Sequence, residues 1–146
     1  DSGMGASIFV DPAGTWHVTY VNGTDEELRY AQVTAGVVGS RERVDDGSTD
    51  GTTPHDDGRH VVGDDSSVVV TSGGEVRVAY QDATDARTML ARRTAPGTWS
   101  IEILDDVDAS GFWVEQELSG TGSSVVSWWR QPDAMTTNGV RVTEVP

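Results

Sequence analysis

The sequence contains no cysteine and no lysine among its 146 residues. Without cysteine, the chain cannot form disulfides, thiolate metal sites, a cysteine nucleophile or a thioether-linked haem. Its apolar runs are short and β-branched, and none approaches the ~18 residues that a membrane-spanning helix needs. These absences exclude several classes of redox protein and metal centre, and they predict a chain without a membrane-spanning helix.

Positive charge is also scarce. Ten arginines supply all of the basic charge against 24 acidic residues, which gives a formal net charge of -14 at pH 7. A surface of this sign repels phosphate backbones and anionic lipid, so we expect neither nucleic acid nor a membrane surface as a partner. The chain opens at Asp1 and not at methionine, which indicates a processed or trimmed end.

The sequence repeats itself. Residues 7–46 align without a gap on residues 67–106, and the same residue recurs at many positions spread along both copies. Such self-similarity is typical of a fold built from stacked units. The matched residues of the first copy include Ser7, Val10, Gly14, Val18, Tyr20, Thr24, Asp25, Ala31, Ser40, Glu42, Asp45 and Asp46.

A third and more degenerate copy covers about residues 111–146, at a spacing of 48 residues from the second copy instead of 60. We interpret the repeat as about 48 residues long, with residues 47–58 as an inserted loop between the first two copies. That loop is rich in glycine and acidic residues, which is typical of a surface loop. The chain is therefore expected to be one domain with units at about 7–46, 67–106 and 111–146.

Each copy alternates apolar and polar residues between glycine and aspartate turns, which predicts β-strands. Four strands fit each of the first two copies, beginning at about Ser7 and Ser67, whereas three fit the last copy. Four antiparallel strands that recur every 40 to 50 residues are typical of a β-propeller blade. We predict an all-β, partial propeller of about three blades, the last incomplete. A β-sandwich is the alternative, although it needs no internal repeat.

The repeats resemble those of extracellular bacterial β-propellers with lectin-like or sialidase-like blades. The shared pattern reads S-x-x-V-D-x-x-G-x-x-H-V-x-Y and then L-x-Y-A. The resemblance implies a secreted or cell-surface protein and specifies architecture better than activity. The second copy departs from it at Thr71, Arg77 and Leu90. The first copy carries it at Ser7, Val10, Asp11, Gly14, His17, Val18, Tyr20, Leu28, Tyr30 and Ala31.

Three blades cannot close a ring, because single blades leave apolar faces and sheet edges exposed. We therefore expect further blades as partners, which a second copy or another chain would supply. A longer propeller of which this chain is a piece is the third source. The sequence favours a binding or assembly module for a glycan or protein over an enzyme.

The inserted loop contains a calcium-loop spacing. Oxygen donors at Asp46, Ser48 and Asp50 are followed by Gly51 and, after five more residues, by Asp57. Donors at the first, third, fifth and twelfth positions of such a loop can converge on one hard cation. Calcium is thus a possible cofactor, and a solvated acidic loop is the alternative.

Two histidines, His55 and His60, overlap this loop, with Asp64 and Asp65 just beyond it. Imidazole and carboxylate groups of this kind can hold zinc or another transition metal, but this spacing is not diagnostic. The third histidine, His17, is expected within a strand as a half-buried sheet residue.

Tryptophans cluster in the third copy. Trp128 occupies the position of Tyr20 and Tyr80 and is expected in the core between blades. Trp113 and Trp129 are the candidates for binding a sugar ring or a hydrophobic partner.

Catalytic motifs are weak. The sequence has no G-x-S-x-G, phosphate loop or H-E-x-x-H. The recurring pairs Asp45-Asp46 and Asp105-Asp106 lie at the same place in two copies, which predicts a shared turn role. A fragment of a sialidase-like glycoside hydrolase remains the alternative function.

Overall fold

The computed structural model describes residues 2–48, 54–55, 58–120, 122–131 and 138–146. These residues form three antiparallel sheets, here called blades, and contain no helix that could cross a membrane. Blade 1 consists of β1 (Ser2–Val10), β2 (Trp16–Asn22), β3 (Glu27–Thr34) and β4 (Val37–Asp45). Blade 2 consists of β5 (Val62–Val70), β6 (Val76–Asp82), β7 (Arg87–Ala95) and β8 (Thr98–Asp105). Blade 3 consists of β9 (Ala109–Leu118), β10 (Ser124–Gln131) and β11 (Gly139–Val145).

The middle blade is buried on both faces. All seven residues of β6 are buried, whereas burial alternates along β2 and β10 in the outer blades. Val78 and Tyr80 pack against blade 1, and Ala79 and Leu90 pack against blade 3. A two-sheet sandwich would leave one face of each sheet in water. The alternative of a sandwich is therefore set aside.

The blades are arranged radially. The first strands of neighbouring blades pack together, β1 against β5 and β5 against β9, whereas the outermost strands β4 and β8 hardly meet. Sheets that approach at one edge and diverge at the other fan out around an axis, as the blades of a propeller do. The three sheets do not close into a ring. The prediction of an all-β, partial propeller with a three-stranded last blade is confirmed.

The inner strands β1 and β5 begin about five residues earlier than the repeat pattern indicated. Backbone irregularities explain the difference, because a bulge interrupts the alternation by which a strand is recognised in a sequence. Gly63 and Gly111 occupy equivalent bulges 48 residues apart, with φ of 100° and 85°. A side chain at either position would collide with its surroundings, since a Cβ would lie 2.9 Å from Leu28 Cβ or 2.8 Å from the Arg87 carbonyl oxygen.

One serine position ties the inner strands together. The Ser7 hydroxyl accepts a hydrogen bond from the Val68 backbone at 3.3 Å, and the Ser67 hydroxyl accepts one from Gln116 at 2.9 Å. Each bond joins one blade to the next. In blade 3 this position is Glu115, which is exposed. The contact between neighbouring blades thus repeats as the sequence does.

Candidate functional site

Two buried aspartates anchor the contacts between blades. Asp45 ends β4, and its Oδ2 accepts a hydrogen bond from the Tyr80 hydroxyl of blade 2 at 2.6 Å. Asp105 ends β8, and its Oδ2 accepts one from the Trp128 indole of blade 3 at 2.8 Å. We call the surroundings of Asp45 and Tyr80 the first joint, and those of Asp105 and Trp128 the second joint. Trp128 is 5% exposed and lies in the core between blades.

The turn role expected of these aspartates is only half of what they do. The Oδ1 of Asp45 accepts a hydrogen bond from the Gly47 backbone at 2.8 Å, and that of Asp105 accepts one from Val107 at 3.1 Å. The other carboxylate oxygen of each aspartate crosses to the next blade. The first aspartate of each repeated pair therefore makes both a turn contact and an inter-blade contact.

An arginine completes the second joint. Arg130 donates to Asp105 through Nε at 3.0 Å and through Nη2 at 2.6 Å. Burial raises the pKa of Asp105, but the hydrogen bonds from Arg130 and Trp128 outweigh burial and hold the pKa below its usual value of 3.8. The second joint is therefore an ion pair formed within the strands of two neighbouring blades.

The inserted loop and the residues just after it complete the first joint with two histidines. His55 Nε2 lies 3.0 Å from Asp45 Oδ2, and His60 Nδ1 lies 2.6 Å from Asp82 Oδ2. The two rings pack with their centroids 4.4 Å apart, and both side chains are fully buried. The structure thus brings His55 and His60 together with Asp45 and Asp82, and not with Asp64 and Asp65.

Two neighbouring carboxylates control the charge of His55. Burial lowers the pKa of His55, but the carboxylates of Asp45 and Asp82 outweigh burial and raise it to about 9. His55 Nδ1 lies 3.3 Å from Asp82 Oδ2 and nevertheless makes no hydrogen bond. A buried polar atom without a partner is costly and needs an explanation.

The sequence held a signal for the role of Asp82 that reasoning from local motifs missed. Asp82 stands two residues after Tyr80, where blade 1 has Asn22 and blade 3 has Arg130. This position changes its charge from blade to blade, and the change coincides with the insertion that supplies His55. A comparison of the repeats by charge, as well as by identity, would have linked Asp82 to the insertion.

The predicted calcium ligands lie partly outside the described residues, since Asp50 and Asp57 belong to the segments that are not described. Asp46 Oδ1 accepts a hydrogen bond from the Ser48 backbone at 3.0 Å, and its Oδ2 lies 3.2 Å from the Arg43 guanidinium. The hydrogen bonds from Ser48 lower the pKa of Asp46. Calcium binding stays a prediction.

The two candidate ligand-binding tryptophans meet in blade 3. Trp113 and Trp129 pack edge to face with centroids 6.2 Å apart, and Phe112 lies 6.3 Å from Trp113. Trp113 is 68% exposed and has a left-handed backbone with φ of 50°. Its backbone N–H donates to Asp65 Oδ2 at 2.8 Å. The equivalent residue of blade 2, Asp65, has the same backbone with φ of 49°, so this conformation belongs to the repeated bulge. We call Phe112, Trp113 and Trp129 the aromatic patch.

Blade 1 carries a groove of about 710 Å³ on the face that points away from blade 2. We call this surface the free face of blade 1. It is lined by apolar side chains and by two arginines, of which Arg29 pairs with Glu27. Its lining includes Val18, Tyr20, Arg29, Ala31, Val38 and Arg41.

No protein-family model matches the chain, and no curated protein matches it. Among solved structures, an endo-arabinase from Bacteroides thetaiotaomicron is similar, with a TM-score of 0.58 and 14% sequence identity. The alignment covers 97% of this chain and 55% of the arabinase chain, so this chain spans about half the length of that neighbour. At this identity the likeness shows the fold alone.

Proposed function

We propose that the chain is a non-enzymatic assembly and binding module that completes a propeller by packing head to tail on a second copy of itself. In this arrangement the free face of blade 1 in one copy packs against the outer face of blade 3 in the other. The resemblance of its repeats to extracellular propellers supports a place outside the cell. The proposal rests on one comparison: the free face of blade 1 is exposed, whereas the equivalent face of blade 2 is buried against blade 1.

That equivalence is the main support. Six apolar positions of blade 2 pack against blade 1, and the same six positions of blade 1 have no blade in front of them. Ile8 and Val10 are accordingly 57% and 54% exposed. Surfaces of this kind mark interaction sites. The six pairs are Ile8 and Val68, Val10 and Val70, Trp16 and Val76, Val18 and Val78, Tyr20 and Tyr80, and Ala31 and Ala91.

The charges of the two end faces are complementary. Arg41 pairs across the strands with Ala31, and Arg29 with Tyr20, so both arginines share the free face of blade 1. Glu115 and Glu117 are exposed on the outer face of blade 3. Opposite charges on two faces of one chain favour head-to-tail contact and oppose contact between identical faces.

The aromatic patch supplies the blade 3 side of this contact. Trp113 and Trp129 stand at the repeat positions of Asp65 and Gln81 in blade 2. Both of those residues touch blade 3, Asp65 through the Trp113 backbone and Gln81 through the Ser110 carbonyl at 2.7 Å. The ligand of the two tryptophans in this proposal is therefore the apolar face of a neighbouring blade.

Solution mass tests the proposal. The full chain in solution should have twice the 15.6 kDa mass of one copy when measured by sedimentation equilibrium or by light scattering after gel filtration. Val38→Asp should yield a folded single copy, because Val38 lines the groove and is 46% exposed. Val107→Asp is the matched control, since Val107 is 52% exposed in a loop and should leave the mass unchanged.

Charge exchange sharpens the test. Arg41→Glu or Glu115→Arg alone should weaken association, whereas a chain that carries both substitutions should regain it. If the wild-type chain has the mass of one copy at about 0.1 mM, the head-to-tail arrangement is wrong. This concentration lies well above the dissociation constants of ordinary dimers. If such a single copy binds a glycan, and this binding requires Trp113 and Trp129, glycan binding would replace assembly as the proposed function.

A second candidate is the hydrolysis of a glycan, because one similar solved structure is an endo-arabinase. Release of reducing ends from arabinan and sialosides measures it directly. We expect no turnover, since the buried carboxylates of Asp45 and Asp105 are occupied by joint contacts. Turnover that is lost when a tyrosine or glutamate is replaced would favour the hydrolase instead.

A further inference from the structure

A compact group of metal-ligand atoms lies inside the first joint. One nitrogen from each of His55 and His60 and one oxygen of Asp82 lie within 4.8 Å of one another, and all three side chains are buried. His55 comes from the inserted loop and His60 lies between that loop and β5, whereas Asp82 ends β6 of blade 2. One ion at this place would contact both segments.

The donor types fit zinc. Zn²⁺ binds imidazole nitrogen and carboxylate oxygen at about 2.0–2.2 Å, and three protein ligands suffice when a fourth position is left for another donor. The closest donor pair, His60 Nδ1 and Asp82 Oδ2, is 2.6 Å apart, and His55 Nδ1 is 3.3 Å from the same oxygen. Ligands of a tetrahedral ion are roughly 3.3 Å apart, so His60 Nδ1 and Asp82 Oδ2 need to separate by less than an ångström.

The surroundings of His55 are those of a metal ligand. Its Nε2 lies against the carboxylate of Asp45, at 3.0 and 3.1 Å from the two oxygens. Histidines that bind metals usually donate their second N–H to a carboxylate, which orients the ring and raises its basicity. The remaining nitrogen, Nδ1, lies 3.3 Å from Asp82 Oδ2 and is buried without a hydrogen-bond partner. This unsatisfied atom is the second, independent indication of a ligand.

We propose that the first joint is a zinc site in which His55 Nδ1, His60 and Asp82 hold the ion and Asp45 positions His55. The ion takes the place of the hydrogen bond between His60 and Asp82. It fastens the inserted loop to blade 2 directly and to blade 1 through Asp45. The second joint needs no ion, because Arg130 already neutralises Asp105 there.

Zinc titration of the full, tag-free chain tests the site. After treatment with chelator, isothermal titration with zinc chloride should show one ion per chain. Zinc at a hundredfold excess over its dissociation constant should raise the unfolding midpoint by about 5–10 °C, and chelator should reverse the rise. Cobalt substitution should produce the visible absorption of a four-coordinate nitrogen and oxygen site.

Variants identify the ligands. His60→Gln and Asp82→Asn should each weaken zinc binding at least ~100-fold, and Asp45→Asn about 10–100-fold through loss of ring orientation. Asn at position 82 retains the oxygen that accepts hydrogen bonds from Thr84 and Asp85, so the turn is kept. His17→Gln is the matched control, because His17 is also buried but bonds to Tyr30 in blade 1.

Three results would overturn the proposal. The first is a folded wild-type chain that binds no zinc at micromolar concentration. The second is unchanged affinity in both His60→Gln and Asp82→Asn, with folding verified by circular dichroism. The third is an equal loss in His17→Gln, which would show that zinc binds histidine without regard to this cluster. Each result is independent of whether the chain pairs with a second copy.

Discussion

The two joints share their geometry and differ in charge. In both, an aspartate that ends the outer strand of one blade accepts a hydrogen bond from an aromatic side chain on the second strand of the next. Two residues beyond Trp128 the second joint has Arg130. Two residues beyond Tyr80 the first joint has Asp82, a second acid in place of a base.

The difference shows what a buried aspartate requires of its neighbours. A carboxylate removed from water must be paired and hydrogen-bonded, because the cost of leaving it alone is several kcal/mol. The second joint meets this need within its strands, through Arg130. The first joint places two carboxylates side by side and therefore depends on the inserted loop for its counter-charge. The insertion is thus a structural part of the joint.

The largest effect is expected from breaking the second joint. Asp105→Ala should lower the free energy of unfolding by about 3 kcal/mol, because it leaves the guanidinium of Arg130 and the buried indole N–H of Trp128 without their acceptor. Urea unfolding followed by tryptophan fluorescence measures the loss. Asp106→Ala, next to it and exposed, is the control and should change stability by less than about 0.5 kcal/mol.

Acid should weaken the second joint in a defined range of pH. Because the folded protein lowers the pKa of Asp105, the stabilisation is complete above the unfolded pKa of about 3.9 and is lost as the pH falls through the folded value. The unfolding free energy of the wild type should therefore fall more steeply in acid than that of Asp105→Asn. The difference is about 1.4 kcal/mol for each unit by which the pKa is lowered. Unfolding curves recorded at a series of pH values down to about 3 measure both dependences. Equal changes of the unfolding free energy with pH in the two proteins would contradict this prediction.

The smallest effect concerns the hydroxyl that anchors the first joint. Tyr80→Phe removes one hydrogen bond to Asp45 and should cost about 1 kcal/mol, since Asp45 keeps its contacts with His55 and Gly47. Tyr20→Phe is the matched control at the same repeat position on the free face of blade 1, and should leave the stability of the single chain unchanged. Equal losses in both variants would contradict an anchoring role at the joint.

Much of the architecture was predictable from the sequence because it is repeated. The positions of Ser7 and Ser67, or of Tyr20 and Tyr80, report a period whatever the residues do individually. The expectation that Trp128 lies between blades follows from the same register and is confirmed by its burial. The early starts of β1 and β5 were not predictable, since bulged strands lose the alternation that identifies them.

The candidate site was predictable only in part. His55 and His60 were recognisable as metal-ligand types, but the carboxylates they meet, Asp45 and Asp82, lie 10 and 22 residues away along the chain. Trp113 and Trp129 were recognisable as candidates for binding, and the structure adds that they touch each other. Residue types are visible in a sequence, whereas their meeting depends on the packing of one sheet on another.

By itself, the sequence determined the blade count, the strand order and the faces that are apolar, because period and alternation are local properties of the chain. Only the tertiary structure decided which acids share a buried space. Asp45 and Asp105 look alike in the repeats, yet Asp105 faces Arg130, whereas Asp45 faces His55 of the inserted loop. Burial makes that difference in neighbours matter chemically, since a charge removed from water is stabilised by the protein groups around it and no longer by solvent.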